Sequence, residues 1–106
     1  MFAKTPNLPY YTVIFTSQRT KIEEGYTEMN DSLWKDAQKL DGFLGVEALR
    51  NEAGFSVGVL YFKDVETIHE WAKDQKHLRA KKLGKEKWYS GYRVRIAMVE
   101  REYGMG

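Results

Sequence analysis

Two histidines are the side chains of this sequence best suited to proton transfer near neutral pH. His69 and His77 lie eight residues apart, which is not the spacing of two metal ligands on one helix. The sequence contains no cysteine, which excludes disulfides and thiolate metal sites. No third ligand is evident, so we predict no metal site.

His77 is the candidate base or hydrogen-bond donor because it shares a helical stripe with two small residues. Ala80 and Gly84 follow it at steps of three and four, which places all three on one face. Their small size would let the stripe approach a sheet closely and turn His77 into a pocket. The alternative is a structural or capping role for His77 at a helix break.

Aromatic residues near His77 could complete such a pocket. Trp71 and Trp88 would form walls that stack on a planar ligand, although packing in the core or an interface explains them equally well. Tyr92 lies on the same strand face as Val94 and Ile96, so its hydroxyl is predicted to enter the pocket as a second catalytic group.

Three arginines fall on the opposite face of the last predicted strand. We assign Arg93, Arg95 and Arg101 to a dimer interface or a rim, where they would pair with acids such as Glu47 or Glu100 of a second chain.

A basic run covers residues 73–87, which carry seven Lys or Arg against two acidic residues, although the net charge of the chain is only +2. Such a run is usually a solvated helix face. Attraction of an anionic ligand or a nucleic acid is the alternative, but the run lacks the interleaved aromatics of a single-strand platform. We therefore expect no nucleic-acid partner.

The elements that position these residues follow the order β-α-β-β-α-β. Runs rich in β-branched and aromatic residues predict strands at 10–18, 43–50, 55–62 and 88–103. Apolar steps of three and four predict a helix over 26–40, and a second helix that Asp64 caps and that breaks at 73–75. Gly42 and Gly84 are predicted to end these helices, Gly42 as a left-handed cap. Residues 1–9 are expected to form an irregular arm of a single domain, 1–106.

Both faces of the predicted sheet carry apolar side chains. In the first strand Tyr11 and Val13 alternate with Tyr10 and Ile14. Two helices can cover only one face of a four-stranded sheet, so the other face needs a second chain. We predict a homodimer packed sheet to sheet. The alternative is an open sheet that happens to carry aromatic residues.

The most distinctive residues lie in the second half of the sequence. They are Trp71, His77-Leu78-Arg79-Ala80, Gly84, Trp88-Tyr89, Tyr92, Arg95-Ile96-Ala97 and Val99-Glu100-Arg101. With residues 43–47 and the turn at Gly54, this pattern resembles the antibiotic biosynthesis monooxygenase superfamily, and in particular its small bacterial members. The resemblance covers residues 10–103.

The resemblance implies an α+β, ferredoxin-like fold, a dimeric α+β barrel and a pocket between helices and sheet in each subunit. Members of the superfamily include cofactor-free oxygenases of polyketide aromatics, quinol oxygenases and haem-degrading enzymes. We therefore expect a cofactor-independent monooxygenase-like protein that acts on a small phenol or quinol. The alternative is a non-catalytic dimer of the same fold that binds a small ligand or responds to stress.

The haem-degrading branch of the superfamily fits this sequence poorly. Trp71 matches its helical tryptophan, but Gln18 stands near its first-strand asparagine. Lys81 stands near its haem-ligating histidine, and an ammonium group cannot ligate haem at neutral pH. We expect no haem, flavin or metal cofactor. We also expect a cytoplasmic protein, because no signal peptide and no run of about 20 apolar residues is present.

Overall fold

A four-stranded antiparallel sheet is the base of this structure, a computed structural model that describes residues 2–5 and 7–106. Its strands are β1 (Tyr10–Arg19), β2 (Phe43–Arg50), β3 (Phe55–Phe62) and β4 (Tyr89–Val99), in the spatial order β2-β3-β1-β4. The helices are α1 (Tyr26–Gln38), α2 (Val65–Ala72) and α3 (Gln75–Leu83). This is the predicted α+β, ferredoxin-like arrangement. Within the described residues, none of the helices combines the length and apolar character needed to cross a bilayer.

The hydrophobic core lies between the sheet and the helices. It is built around Val13 and Leu60, which face each other across β1 and β3, and around Phe62 and Ile68, which are fully buried. Trp34 from α1 and Trp71 from α2 pack against this cluster, along with partly buried residues of the strands. The alternating pattern of the strands therefore directs one face of the sheet toward the helices. The helices bury this face at β1 and β3, whereas Val94, Ile96 and Met98 of β4 remain about half exposed on it.

The opposite face of the sheet, which we call the open face, carries no helix. Strand register places on it Ile14, Thr16, Leu49, Phe55, Val57, Val59, Arg93 and Arg95. Among its apolar residues, Leu49 is 82% exposed, Phe55 45% and Val57 37%. The two-faced pattern predicted for the strands is thus present, and one of the faces is uncovered in a single chain.

The N-terminal arm covers one end of the open face. The backbone N–H of Ala3 donates to the Glu47 carboxylate at 3.0 Å, and the Tyr61 hydroxyl donates to the same carboxylate at 2.7 Å. Thr5 donates to the Glu102 carboxylate at 3.0 Å. Residues 2–5 and 7–9 contain no helix or strand, while Met1 and Pro6 of the predicted arm lie outside the described residues.

The prediction that Gly42 caps α1 in a left-handed conformation is wrong. Helix α1 ends at Gln38, and Gly42 is not among the glycines with positive φ. A Cβ at Gly42 would instead collide with the side chain of Thr67, whose own Cβ is 2.8 Å from the position that it would take. Thr67 lies in the first turn of α2, where its backbone N–H donates to the capping carboxylate of Asp64 at 2.8 Å. Glycine is needed here for space, and Asp64 is the predicted cap.

The second helix breaks where the sequence predicts, between Ala72 and Gln75. The Asp74 carboxylate accepts the backbone N–H of Lys76 at 2.9 Å and so begins α3. Gly84 is the C-cap of α3, as predicted. Its φ of −58° is right-handed, and one π-helical turn, Gly84–Trp88, continues the chain to the last strand.

The last strand is shorter than the predicted span of 88–103. Its final paired residue, Val99, lies opposite Tyr10, which is the first residue of β1. No residue of β1 remains to pair with the chain beyond this point, so the following residues leave the sheet and are exposed.

Candidate functional site

A cavity of about 120 Å³ opens where α1, α2 and the beginning of α3 meet. It is lined by Leu33, Asp36, Leu40, Glu70, Trp71, Asp74 and His77. We call it the first cavity. An engineered apolar cavity of about 150 Å³ binds benzene, so a space of this size that is partly open to solvent suits a single aromatic ring.

Trp71 forms the wall between the first cavity and the core. Its ring packs on Phe62, with the two ring centroids 5.6 Å apart. Its indole Nε1 is buried and finds no hydrogen-bond acceptor among the described residues. A buried donor left unpaired costs about 1–3 kcal/mol, and a water or ligand oxygen in the cavity would remove that cost.

His77 stands in the first turn of α3, with its ring centroid 4.3 Å from that of Trp71. Its Nδ1 is buried, and the described part of the chain offers it no hydrogen-bond partner. Burial lowers the pKa of His77 below its usual value, and Lys81 lowers it further, while Asp74 partly opposes the shift. The imidazole is therefore neutral at pH 7, with one nitrogen able to accept a proton.

Two of the three carboxylates around the first cavity already take part in ion pairs or helix caps. Lys76 pairs with Asp36 at 2.9 Å and donates to Ser32 at 2.6 Å, which ties α3 to α1. Asp74 is the cap of α3, and Glu70 is exposed. In the part of the chain that the structure describes, no three His, Asp or Glu side chains converge as metal ligands.

Ala80 and Trp88 line a second cavity of about 40 Å³. Its other lining residues are Tyr26, Met29, Asn30, Leu33 and Tyr89. Trp88 is only 3% exposed, and its indole donates to the Glu24 carbonyl at 2.9 Å. The four predicted pocket residues on the helical side thus divide into two pairs, Trp71 with His77 and Ala80 with Trp88.

Tyr92 lines neither of the two cavities, whereas His77 lines the first. The Tyr92 ring packs against Phe15 and Tyr89, with centroid distances of 5.7 and 6.0 Å, and its backbone is opposite Ser17. Trp71, beside His77, packs on Phe62, which is opposite Tyr11, six residues before Ser17 on β1. Six strand residues span roughly 20 Å. The structure therefore does not bring Tyr92 and His77 into one site.

The three arginines of the predicted interface are all exposed. Arg93 and Arg95 lie on the open face, opposite Thr16 and Ile14, while Arg101 lies beyond the end of β4. The suggested acid Glu47 already accepts hydrogen bonds from its own chain.

Arg19 is a structural residue that no pattern in the sequence distinguishes. It is 7% exposed, and its guanidinium carbon lies 3.4 Å from the centre of the Tyr26 ring. Its Nε donates to the Trp88 carbonyl at 3.1 Å, and its Nη2 donates to the Ile22 carbonyl at 2.9 Å. Arg19 thereby holds two walls of the second cavity together. In the sequence, Arg19 begins a polar segment, and nothing in that pattern indicates that its side chain is buried.

Comparison with known proteins gives one family match. The sequence profile of the family described as monooxygenase af470-like matches residues 10–97. The uncharacterised protein YqjZ of Bacillus subtilis (strain 168) is 38% identical over 100 residues, which are 94% of this chain and 88% of that protein.

Solved structures share the fold at low sequence identity. A variant of SnoaB, a cofactor-independent oxygenase from Streptomyces nogalater, superposes with a TM-score of 0.72 and 8% identity, over 88% of this chain and 95% of that one. A putative antibiotic biosynthesis monooxygenase from Nitrosomonas europaea gives 0.69 and 13%, over 97% and 99%. At these identities the similarity shows the fold alone.

We expect His77 to weaken the fold as the pH falls. Its pKa in the folded chain is below the unfolded value of about 6.5, so the unfolded chain binds the proton first and the free energy of unfolding falls as pH decreases through this window. Urea unfolding at about pH 8 and pH 5 should therefore show a larger loss of stability for the wild type than for His77→Gln.

The exposed His69 provides the control, since His69→Gln should keep the pH dependence of the wild type. An equal loss of stability in the wild type and in His77→Gln would contradict a neutral, buried His77.

Proposed function

Because the chain belongs to the monooxygenase af470-like family, we propose that it is a monooxygenase that adds one oxygen atom of O₂ to a small phenol or quinol bound beside Trp71 and His77. Membership of this family confirms the resemblance to antibiotic biosynthesis monooxygenases predicted from the sequence. We infer the substrate class and the cofactor-independent reaction of this protein by analogy with that superfamily.

Two features of the site carry the proposal. The first cavity fits one aromatic ring, and two buried nitrogen atoms beside it, Trp71 Nε1 and His77 Nδ1, have no hydrogen-bond partner among the described residues. The indole Nε1 of Trp71 is a donor only, whereas one nitrogen of a neutral His77 is an acceptor. A phenolic oxygen is complementary to both, since it can accept from Trp71 and give its proton to His77. The χ2 torsion of histidine is soft, so either ring nitrogen can turn toward a ligand.

The proposed reaction begins with removal of the phenolic proton by His77. The resulting phenolate is electron-rich and reacts with O₂, while the Trp71 N–H stabilises its oxygen. One oxygen atom is inserted into a C–H bond of the ring, and the other leaves as water with two hydrogen atoms of the quinol. The substrate supplies all the electrons, so the quinol becomes a hydroxyquinone without an external reductant.

The reaction as proposed uses no haem, flavin or metal. Two residues support the exclusion of haem on chemical grounds. Lys81, near the position of the family's haem-ligating histidine, is an exposed ammonium on α3. Gln18, near the position of the first-strand asparagine, donates to the Ala53 carbonyl at 2.7 Å and is engaged in the hairpin turn.

Oxygen consumption with hydroquinones and anthrones tests the proposed reaction. We expect the wild type to consume one O₂ per substrate, faster than autoxidation. His77→Ala should lower the rate by about 100-fold or more, because a positioned general base typically contributes at least that factor. His69→Ala, which changes the exposed histidine, should retain the wild-type rate.

Oxygen uptake that never exceeds autoxidation, in a protein that still binds phenol, would contradict the monooxygenase and support the non-catalytic ligand-binding alternative. Equal rates for the two histidine variants would contradict the role of His77.

We further propose that the active form is a homodimer packed through the open face. Leu49, Phe55 and Val57 form an apolar surface there, and contiguous apolar surfaces of this kind mark interaction sites. The partner is a second copy because a two-fold axis would bring each apolar patch onto its equivalent. Arg93 and Arg95 would lie beside that patch, in the interface or at its rim.

Light scattering at micromolar concentration tests the dimer. We expect the wild type to have twice the mass of one chain and Leu49→Glu to be monomeric, because the substitution places charges in an apolar interface. Leu78→Glu is the matched control, since Leu78 is also an exposed leucine but lies on α3. A monomeric wild type at this concentration would overturn the proposal.

A further inference from the structure

Leu33 lines both of the cavities that lie along α1 and α3. The first cavity contains Trp71 and His77, and the second contains Ala80 and Trp88. Among the described residues that line either cavity, Leu33 is the only one common to both. It is half-buried and lies in the middle of α1.

The two cavities follow one seam between the helices. On α1, Met29 of the second cavity lies four residues before Leu33, so the two share one stripe. Leu40 of the first cavity lies two residues beyond the end of α1. On α3, His77 and Ala80 are three residues apart, or about 5 Å along the helix axis. A ring in the first cavity would therefore need only a short extension past Leu33 to reach the second.

We propose that Leu33 determines ligand size, by restricting the proposed aromatic site to compounds with a single ring. The inference rests on the proposed function, because it assumes that the first cavity binds the ring. It adds a limit on the number of rings in the substrate. This limit is inferred from the side chains of this protein and not from its family.

The sizes of the cavities support this limit. The first cavity, at about 120 Å³, suits one ring, whereas the second, at about 40 Å³, has room for water but not for a second ring. The far side of Leu33 is walled by the aromatic side chains of Tyr26, Trp88 and Tyr89. Aromatic walls of this kind can pack against the faces of a fused ring system. The side chain of Leu33, and not the lining of the second cavity, therefore prevents a second ring from entering.

The preference between phenol and 1-naphthol tests the role of Leu33. We expect the wild type to bind 1-naphthol no more tightly than phenol, although 1-naphthol has the larger apolar surface. In Leu33→Ala the two cavities join, so 1-naphthol should bind about tenfold or more tightly than to the wild type, because its second ring is then buried. The dissociation constant of phenol should change by less than about threefold.

One matched variant separates the loss of the partition from a general loosening of the site. Met29→Ala enlarges only the second cavity and leaves Leu33 in place, so it should keep the wild-type ratio of the two dissociation constants. If circular dichroism shows that Leu33→Ala is unfolded, Leu33→Val, which removes one carbon, should shift the ratio in the same direction by about threefold.

The outcomes distinguish this inference from the proposed function. Failure of the wild type to bind phenol would contradict the ring site itself, and with it the proposed function. Binding of phenol with an unchanged ratio in folded Leu33→Ala or Leu33→Val would overturn the role of Leu33 alone. A shifted ratio in Met29→Ala would also overturn it, since that side chain lines the second cavity alone.

Discussion

The packing of Trp71 on Phe62 is the contact on which the candidate site depends. Phe62 is fully buried and lies at the end of β3, so the indole that packs on it is held against the core. The other side of the indole meets the His77 ring at 4.3 Å. Core packing therefore sets the position of the two side chains whose nitrogen atoms remain unpaired beside the first cavity.

The break between α2 and α3 gives His77 its direction. A continuous helix would carry the chain past Trp71, whereas the cap formed by Asp74 starts a new helix and turns His77 back onto the indole. The Lys76–Asp36 ion pair then holds α3 beside α1. This pair is partly exposed and adds little to stability, but it fixes the seam in which both cavities lie.

Periodicity in the sequence was sufficient to predict the fold, since β2 and β3 have the predicted bounds and the helix breaks at the predicted residues. It could not predict what depends on tertiary space. Position 42 must be glycine because the side chain of Thr67, 25 residues later, occupies the space that a Cβ would need. The sequence around Gly42 does not indicate this contact. Tyr92 was placed on the correct strand face, but its distance from His77 depends on strand register. The division of the pocket by Leu33 depends on how two helices meet, which a helical stripe does not specify.

Nuclear magnetic resonance of the indole N–H groups can show whether a phenolic ring binds beside Trp71. During titration with phenol, we expect the Trp71 resonance to shift more than those of Trp34 and Trp88, because its N–H gains an acceptor. Trp88 is a suitable reference, since its indole already donates to the Glu24 carbonyl. A Trp71 resonance that stays unchanged at saturating phenol, or a larger shift at Trp88, would show that the ring does not bind beside Trp71.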